Sequence, residues 1–390
     1  MTAIVIRQGD RGPAVAEVRA RLARLGLLPG SQYAQDHQDD DPLRAAQPAE
    51  HAEPAEWATT ALVSAEFDAD VVAAVKEFQD ARGITVDGIV GPETFRRLEE
   101  ARWRLGDRVL SYAAAHPTVG EDISDLQARL SAMGFDCGRI DGHMGPLTEA
   151  ALREFQRNTG IPTDGVCGPA TFRALGRLRK TVGKQSAHSV REKYALPKLR
   201  TGIAGKLVVL DPSAKDRLTG LSPKSESEIM AELASRVEGR LVALGTQVMA
   251  TRSLAGEAEA ETASERAQFA NEVAADLVLS LTLCSDPQQP SGVTSYYYGH
   301  SASGYSVPGQ LAASIIQEGI STRTALQHRE PRPRTWDILR LTQMPTVRIE
   351  CGNVSHAKDR NMLEDRSFVE TLAVAIADAI EQFFAPEHVI

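Results

Sequence analysis

The feature that most constrains this chain is an internal repeat in its first half. Residues Val15 to Gly26 align with Ile123 to Gly134, with apolar residues at helical spacing and a closing glycine in both. Residues Glu77 to Phe95 align in the same way with Glu154 to Phe172. The Asp-Gly and Gly-Pro pairs inside those blocks punctuate turns. Each Gly-Pro opens a helix, because the amide that proline lacks has no partner in a first turn. The first half is therefore two copies of one small helical unit.

These units resemble the three-helix peptidoglycan-binding domain. The resemblance rests on Asp-Gly-x-x-Gly-Pro-x-Thr at Asp87–Thr94 and Asp164–Thr171, with a further copy at Asp141–Thr148. Unit 1 is read as 1–105 and unit 2 as 112–180. Unit 1 carries an insertion of about 31 residues, near 31–62, with seven acidic residues against one arginine. Asp36, His37, Asp39, Asp40 and Asp41 have the residue types of a metal site, but such a run reads rather as a solvated acidic loop. In exported relatives such units anchor an enzyme to wall polymer. Without export, docking to protein or a structural role is expected ahead of binding glycan or peptidoglycan precursors.

A length of 390 residues allows two or three domains, and 42% hydrophobic with 24% charged residues is ordinary for a soluble protein. The net charge of −9 argues against nucleic acid as a partner. The first residues show no basic stretch leading into an apolar core of roughly 7–15 residues, so no secretory signal is expected. No window reaches the roughly 18 apolar residues of a membrane span. The expected location is the cytoplasm, at the inner membrane only through partners. Cys137, Cys167, Cys284 and Cys351 fall in no Cys-x-x-Cys spacing, and four reduced, buried thiols are expected.

Residues 181–202 read as a basic interdomain linker, a solubilising tether. From 203 to 386 strands and helices alternate. Strands are predicted at Lys206–Leu210, 246–251, 277–283, 293–298 and 346–350, and helices at 228–245, 264–274, 309–318 and 365–384. The fold class is thus multidomain: two all-α units, then an α/β domain with a mostly parallel sheet covered by helices on both faces. Ser321 to Trp336, with Arg323, His328, Arg329, Arg332 and Arg334 beside Pro331 and Pro333, reads as a solvated loop or a grip for phosphates or an acidic partner.

Where the first strand opens into Asp211-Pro212-Ser213-Ala214-Lys215-Asp216, the sequence resembles the zinc-dependent N-acetylmuramoyl-L-alanine amidases of bacterial cell walls. Those enzymes carry Asp-Pro-Gly-His-Gly-Gly there. The resemblance implies two histidines and a glutamate on zinc, with a second glutamate as general base. It places the first histidine at Ala214, the ligand glutamate at Glu226, the second histidine at Thr282 and the base at Glu350. Thr251-Arg252 and Glu265-Arg266 match further positions and are expected to hold strand and helix ends. Neither Ala214 nor Thr282 is a usual zinc ligand, so no cofactor and no hydrolysis are expected. Glu226, Cys284 and His356 are the set that would have to rebuild a metal site.

Two wall-binding-like units before an amidase-like domain without its histidines also resemble an actinobacterial group of non-catalytic regulators of peptidoglycan synthesis. That resemblance implies control by a membrane Ser/Thr protein kinase. It also implies stimulation of UDP-N-acetylglucosamine 1-carboxyvinyltransferase by the phosphorylated form. The unphosphorylated form would associate with a lipid II flippase and its forkhead-associated partner. Thr371 is the candidate phosphosite, placed in the first turn of the last helix, where free amides and the helix dipole favour a phosphate. The alternatives are an amidase with a non-standard metal set and a wall-precursor sensor.

Overall fold

A computed structural model describes residues 5–28, 65–114, 118–178, 187–212, 226–251, 262–300 and 304–386. Ala214, Arg252 and the acidic run at 36–41 lie outside the described residues.

Unit 1 contains α1 (Pro13–Arg24), α2 (Ala69–Ala81) and α3 (Pro92–Glu100); unit 2 contains α4 (Glu121–Ala132), α5 (Pro146–Thr159) and α6 (Pro169–Leu178). Their amphipathic faces meet in two separate cores, around Val18, Leu22, Val75 and Phe78, and around Leu126, Leu130, Leu152 and Phe155. The repeated signature is the shell of a buried glutamine. Gln79 Nε2 donates to Asp87 Oδ1 at 2.8 Å, the Ile89 carbonyl at 3.0 Å and Thr94 Oγ1 at 3.1 Å. Its Oε1 accepts from Gly88 N at 2.8 Å. Gln156 repeats this with Asp164, Val166, Thr171 and Gly165, and Gln127 with Asp141, His143, Thr148 and Gly142. A buried amide is tolerated only when its bonds are made, so Asp, Gly and Thr recur because the glutamine needs them. The three glycines adopt φ of 73–75°, where a side chain would be strained.

The α/β domain is built on a seven-stranded mixed sheet. Its strands are β1 (Leu207–Pro212), β2 (Gln247–Ala250), β3 (Leu277–Cys284), β4 (Thr294–His300), β5 (Gly304–Tyr305), β6 (Arg332–Arg334) and β7 (Thr346–Asn353). The order is β2-β1-β3-β7-β4-β5, with β6 beside β4; β4 runs antiparallel to β5 and β7, and the other pairs are parallel. One face carries Leu210, Leu281, Val347 and Ile349, buried under α8 (Glu226–Ala243), α10 (Val307–Arg323) and α13 (Arg366–Phe384). The other face is covered differently from expectation. Val209 and Val278 meet Ala270 of α9 (Ala263–Glu272), while Tyr296 and Tyr298 pack on Trp336, Ile338 of α11 (Asp337–Arg340) and Ile84 of unit 1.

That junction is polar and deeply buried. Arg340 donates to Glu100 Oε1 at 2.9 Å and Oε2 at 3.0 Å, to Asp337 Oδ1 at 2.9 Å and to the Asp141 carbonyl at 2.6 Å, joining both units to the domain. Arg139 reaches the carbonyls of Leu339 at 2.9 Å, Met344 at 2.7 Å and Thr342, with its guanidinium 5.5 Å from the Tyr298 ring. Thr335 N donates to the Gly83 carbonyl at 3.0 Å.

Three sequence readings change here. Residues 187–199 of the basic stretch form a helix, α7 (Ala187–Leu199), whose composition and internal Pro197 hid it. The basic 321–336 loop contains β6, an edge strand that tolerates Pro333 because proline's missing amide is not needed there. Several of its arginines are already engaged: Arg323 with Asp378 at 2.6 Å, Arg329 with the Ser291 carbonyl at 2.9 Å. A further helix, α12 (Ala357–Glu364), precedes α13.

On α7, His188 sits between Asp136 of unit 2 (3.6 Å) and Glu192 (3.4 Å), and Glu192 accepts from Val307 N at 2.9 Å. Burial opposes charging of His188, but the two carboxylates outweigh it and raise its pKa above the ordinary 6.5. The His188 contact, with Gly138 N and Arg191, holds the Asp136 carboxyl far below the usual range. A raised histidine pKa stabilises the fold fully below the unfolded value and ceases to do so as pH rises through the folded one. The unfolding midpoint of the native chain should therefore exceed that of His188→Gln by more at pH 6 than at pH 9, measured by urea denaturation.

Candidate functional site: Glu226, Thr282 and Glu350 at one end of the sheet

Glu226 is the first residue of α8 and is buried at the C-terminal end of the sheet. Its Oε1 accepts from Thr282 Oγ1 at 3.1 Å and from Leu283 N at 2.9 Å. Thr282 is fully buried in β3 and lies directly opposite Glu350 of β7, so in parallel strands the two side chains share a face. Glu350 Oε2 accepts from the Tyr296 phenol at 2.9 Å. Burial, with Glu350 beside it, pushes the Tyr296 pKa up, so the phenol stays protonated and a donor.

On the neighbouring strand β1, opposite Ser280, Asp211 is fully buried; its Oδ1 accepts from Thr251 Oγ1 at 2.7 Å and pairs with Arg266 Nε at 2.7 Å. Glu265 closes a capping box with Thr262 at the start of α9. These residues brace the ends of β1, β2 and α9.

The structure thus brings Glu226, Thr282 and Glu350 to one end of the sheet. The donor set does not fit zinc. At the position to which the resemblance assigns a ligand, Thr282 presents a hydroxyl proton to the neighbouring carboxylate, and Leu283 N adds a second donor to the same oxygen. Hydrogen bonds do there what a cation would do.

The replacement set does not assemble. Among the described residues no three His, Cys, Asp or Glu side chains gather into a metal cluster. His356 precedes α12 as its N-cap residue without a side-chain cap bond, its Nε2 lying 2.9 Å from the Gln289 carbonyl, and Cys284 sits at a register shift opposite Asn353. Cys284 is only half-buried, unlike the other three thiols, whose pKa values burial pushes up to about 12.

Thr371 is exposed and lies six residues into α13, in its second turn, not its first; its Oγ1 donates to the Ser367 carbonyl at 2.9 Å. The helix begins at Arg366 because Asp365 caps it, so the free first-turn amides lie behind Thr371.

Residues 208–382 match the N-acetylmuramoyl-L-alanine amidase family, and residues 59–98 and 119–175 match a putative peptidoglycan binding domain. Over 387 residues, 97% of this chain and 89% of the other, the sequence is 37% identical to the N-acetylmuramoyl-L-alanine amidase CwlM of Mycobacterium tuberculosis. The chain belongs to the N-acetylmuramoyl-L-alanine amidase family. A spore cortex-lytic enzyme of Bacillus cereus is 44% identical to this amidase-family chain over 61 residues, 16% of this chain and 24% of that one. The solved N-acetylmuramoyl-L-alanine amidase of Clostridium difficile 630 superposes with a TM-score of 0.42 at 19% identity, covering 46% of this chain and 96% of that one. Among the described residues no helix of this family member is long and apolar enough to cross a membrane.

Proposed function

We propose that this amidase-family chain has lost hydrolysis and regulates peptidoglycan synthesis from the cytoplasm by protein contact. Thr282, to which the resemblance assigns the second zinc histidine, carries the reading: its hydroxyl donates to Glu226. With Ala214 at the other histidine position, one carboxylate and no imidazole remain to hold zinc against water. Docking supports the same reading. Arg139, the Asp141 turn and the Arg82–Ile84 segment pack against the chain's own α/β domain, which suits a single rigid body better than free wall anchors.

The partner in this reading is UDP-N-acetylglucosamine 1-carboxyvinyltransferase, with a membrane Ser/Thr kinase setting the level of stimulation. The unphosphorylated form would contact a lipid II flippase and its forkhead-associated partner. Exposed Thr371 remains the candidate phosphosite through new contacts, not through the helix dipole. The test is the transferase rate with added chain, before and after kinase treatment. Stimulation by the treated chain, reduced in Thr371→Ala, is expected; no stimulation by either form would sink the proposal. The relative's name as an amidase favours hydrolysis as the second reading, which cleavage of a muropeptide by the purified chain with added zinc would establish.

A further inference from the structure

Unit 1 holds a groove of about 390 Å³ between the C-terminal ends of α1 and α3 and the segment that leaves the unit. Leu25, Leu98 and Ala101 give it an apolar lining, and Arg24, Arg102 and Arg104 line it with exposed guanidinium groups. Glu17 and Asp107 also line the groove, and both are engaged within it, as Arg21 is with Glu99 as well as Glu17. Glu17 Oε1 accepts from Arg21 Nη2 at 2.6 Å, and Asp107 Oδ2 accepts from Arg104 N at 2.8 Å. Among the described residues no carboxylate pairs with the side chain of Arg24, Arg102 or Arg104, and the groove's Arg21 keeps a buried Nη1 without a hydrogen-bond partner.

A basic residue in a helix's last turn complements the dipole, which accounts for Arg24. It does not account for Arg102 and Arg104 meeting Arg24 around an apolar lining. The lining carries four arginines against the carboxylates of Glu17 and Asp107, an excess of positive charge that stands out in a chain of net charge −9 and leaves three guanidinium groups without a carboxylate partner among the described residues.

We propose that this groove binds a small phosphate-bearing molecule, its oxyanion gripped by Arg24, Arg102 and Arg104 and its organic body resting on Leu25, Leu98 and Ala101. Guanidinium forks match phosphate oxygens in pairs, and the volume lies within the roughly 300–1,000 Å³ of small-molecule sites. The inference stands apart from the regulatory reading and involves neither Glu226 nor Thr282.

The test is calorimetric titration of the full chain with inorganic pyrophosphate and, separately, with a nucleoside diphosphate. Saturable binding is expected for both, tighter for the nucleoside diphosphate. It should weaken at least tenfold in Arg24→Ser/Arg104→Ser and stay unchanged in Arg173→Ser, an exposed arginine of unit 2. Both groove arginines are exposed, so the double variant should keep the native melting temperature. No saturable binding, or binding that the double variant leaves intact, would overturn the site. Equal affinity for the two ligands would overturn the role given to the apolar lining.

Discussion

Replacing Arg340 by alanine should lower the unfolding free energy by roughly 3–5 kcal/mol, the range for removing one partner of a buried ion pair. The Arg340 side chain is 4% exposed, and its acceptors Glu100 and Asp337 are 8% and 1% exposed. Alanine leaves both carboxylates with fewer donors and the Asp141 carbonyl without its 2.6 Å bond. The same change should expose the junctions between the two helical units and the α/β domain to limited proteolysis. Arg340→Lys keeps the charge but loses the fork that reaches three acceptors, so it should fall between. A loss under about 1 kcal/mol in urea denaturation would show that the units are not held by this residue.

Gln156→Leu should destabilise unit 2 by roughly 1–3 kcal/mol, the cost of one buried group left unpaired. The substitution leaves Gly165 N without its 2.9 Å acceptor, while the Val166 carbonyl loses the 3.0 Å bond from Gln156 but keeps the one from Thr171 Oγ1 at 3.1 Å. Thermal unfolding followed by Trp103 fluorescence, at the boundary with unit 2, would read the change. A variant of native stability would instead mean that the Asp-Gly-x-x-Gly-Pro-x-Thr residues are held for binding and not for folding.

Local patterns made much of this legible. The apolar runs at 207–210 and 277–283 mark β1 and β3, and the alignment of Glu226, Thr282 and Glu350 depends only on strand register and the start of α8. The repeat was equally plain, because the buried glutamine requires the same shell each time. What could not be read was the junction. Arg139 and Arg340 sit in sequence contexts that imply solvated charge, and their acceptors lie about 200 to 240 residues away. Burial of such a residue is decided by tertiary contacts that local periodicity does not encode. Thr371 was misplaced for a smaller reason: a helix read from 365 already carries residue 371 past its first turn, as α13 does.

The central claim is that hydrogen bonds from Thr282 and Leu283 have replaced zinc at Glu226. Zinc content of the purified, tag-free chain, measured by elemental mass spectrometry beside Glu226→Ala, tests it most directly. The account predicts zinc far below one per chain in both proteins. Near one zinc per native chain, lost in the variant, would contradict it and return the chain to the hydrolases of its family.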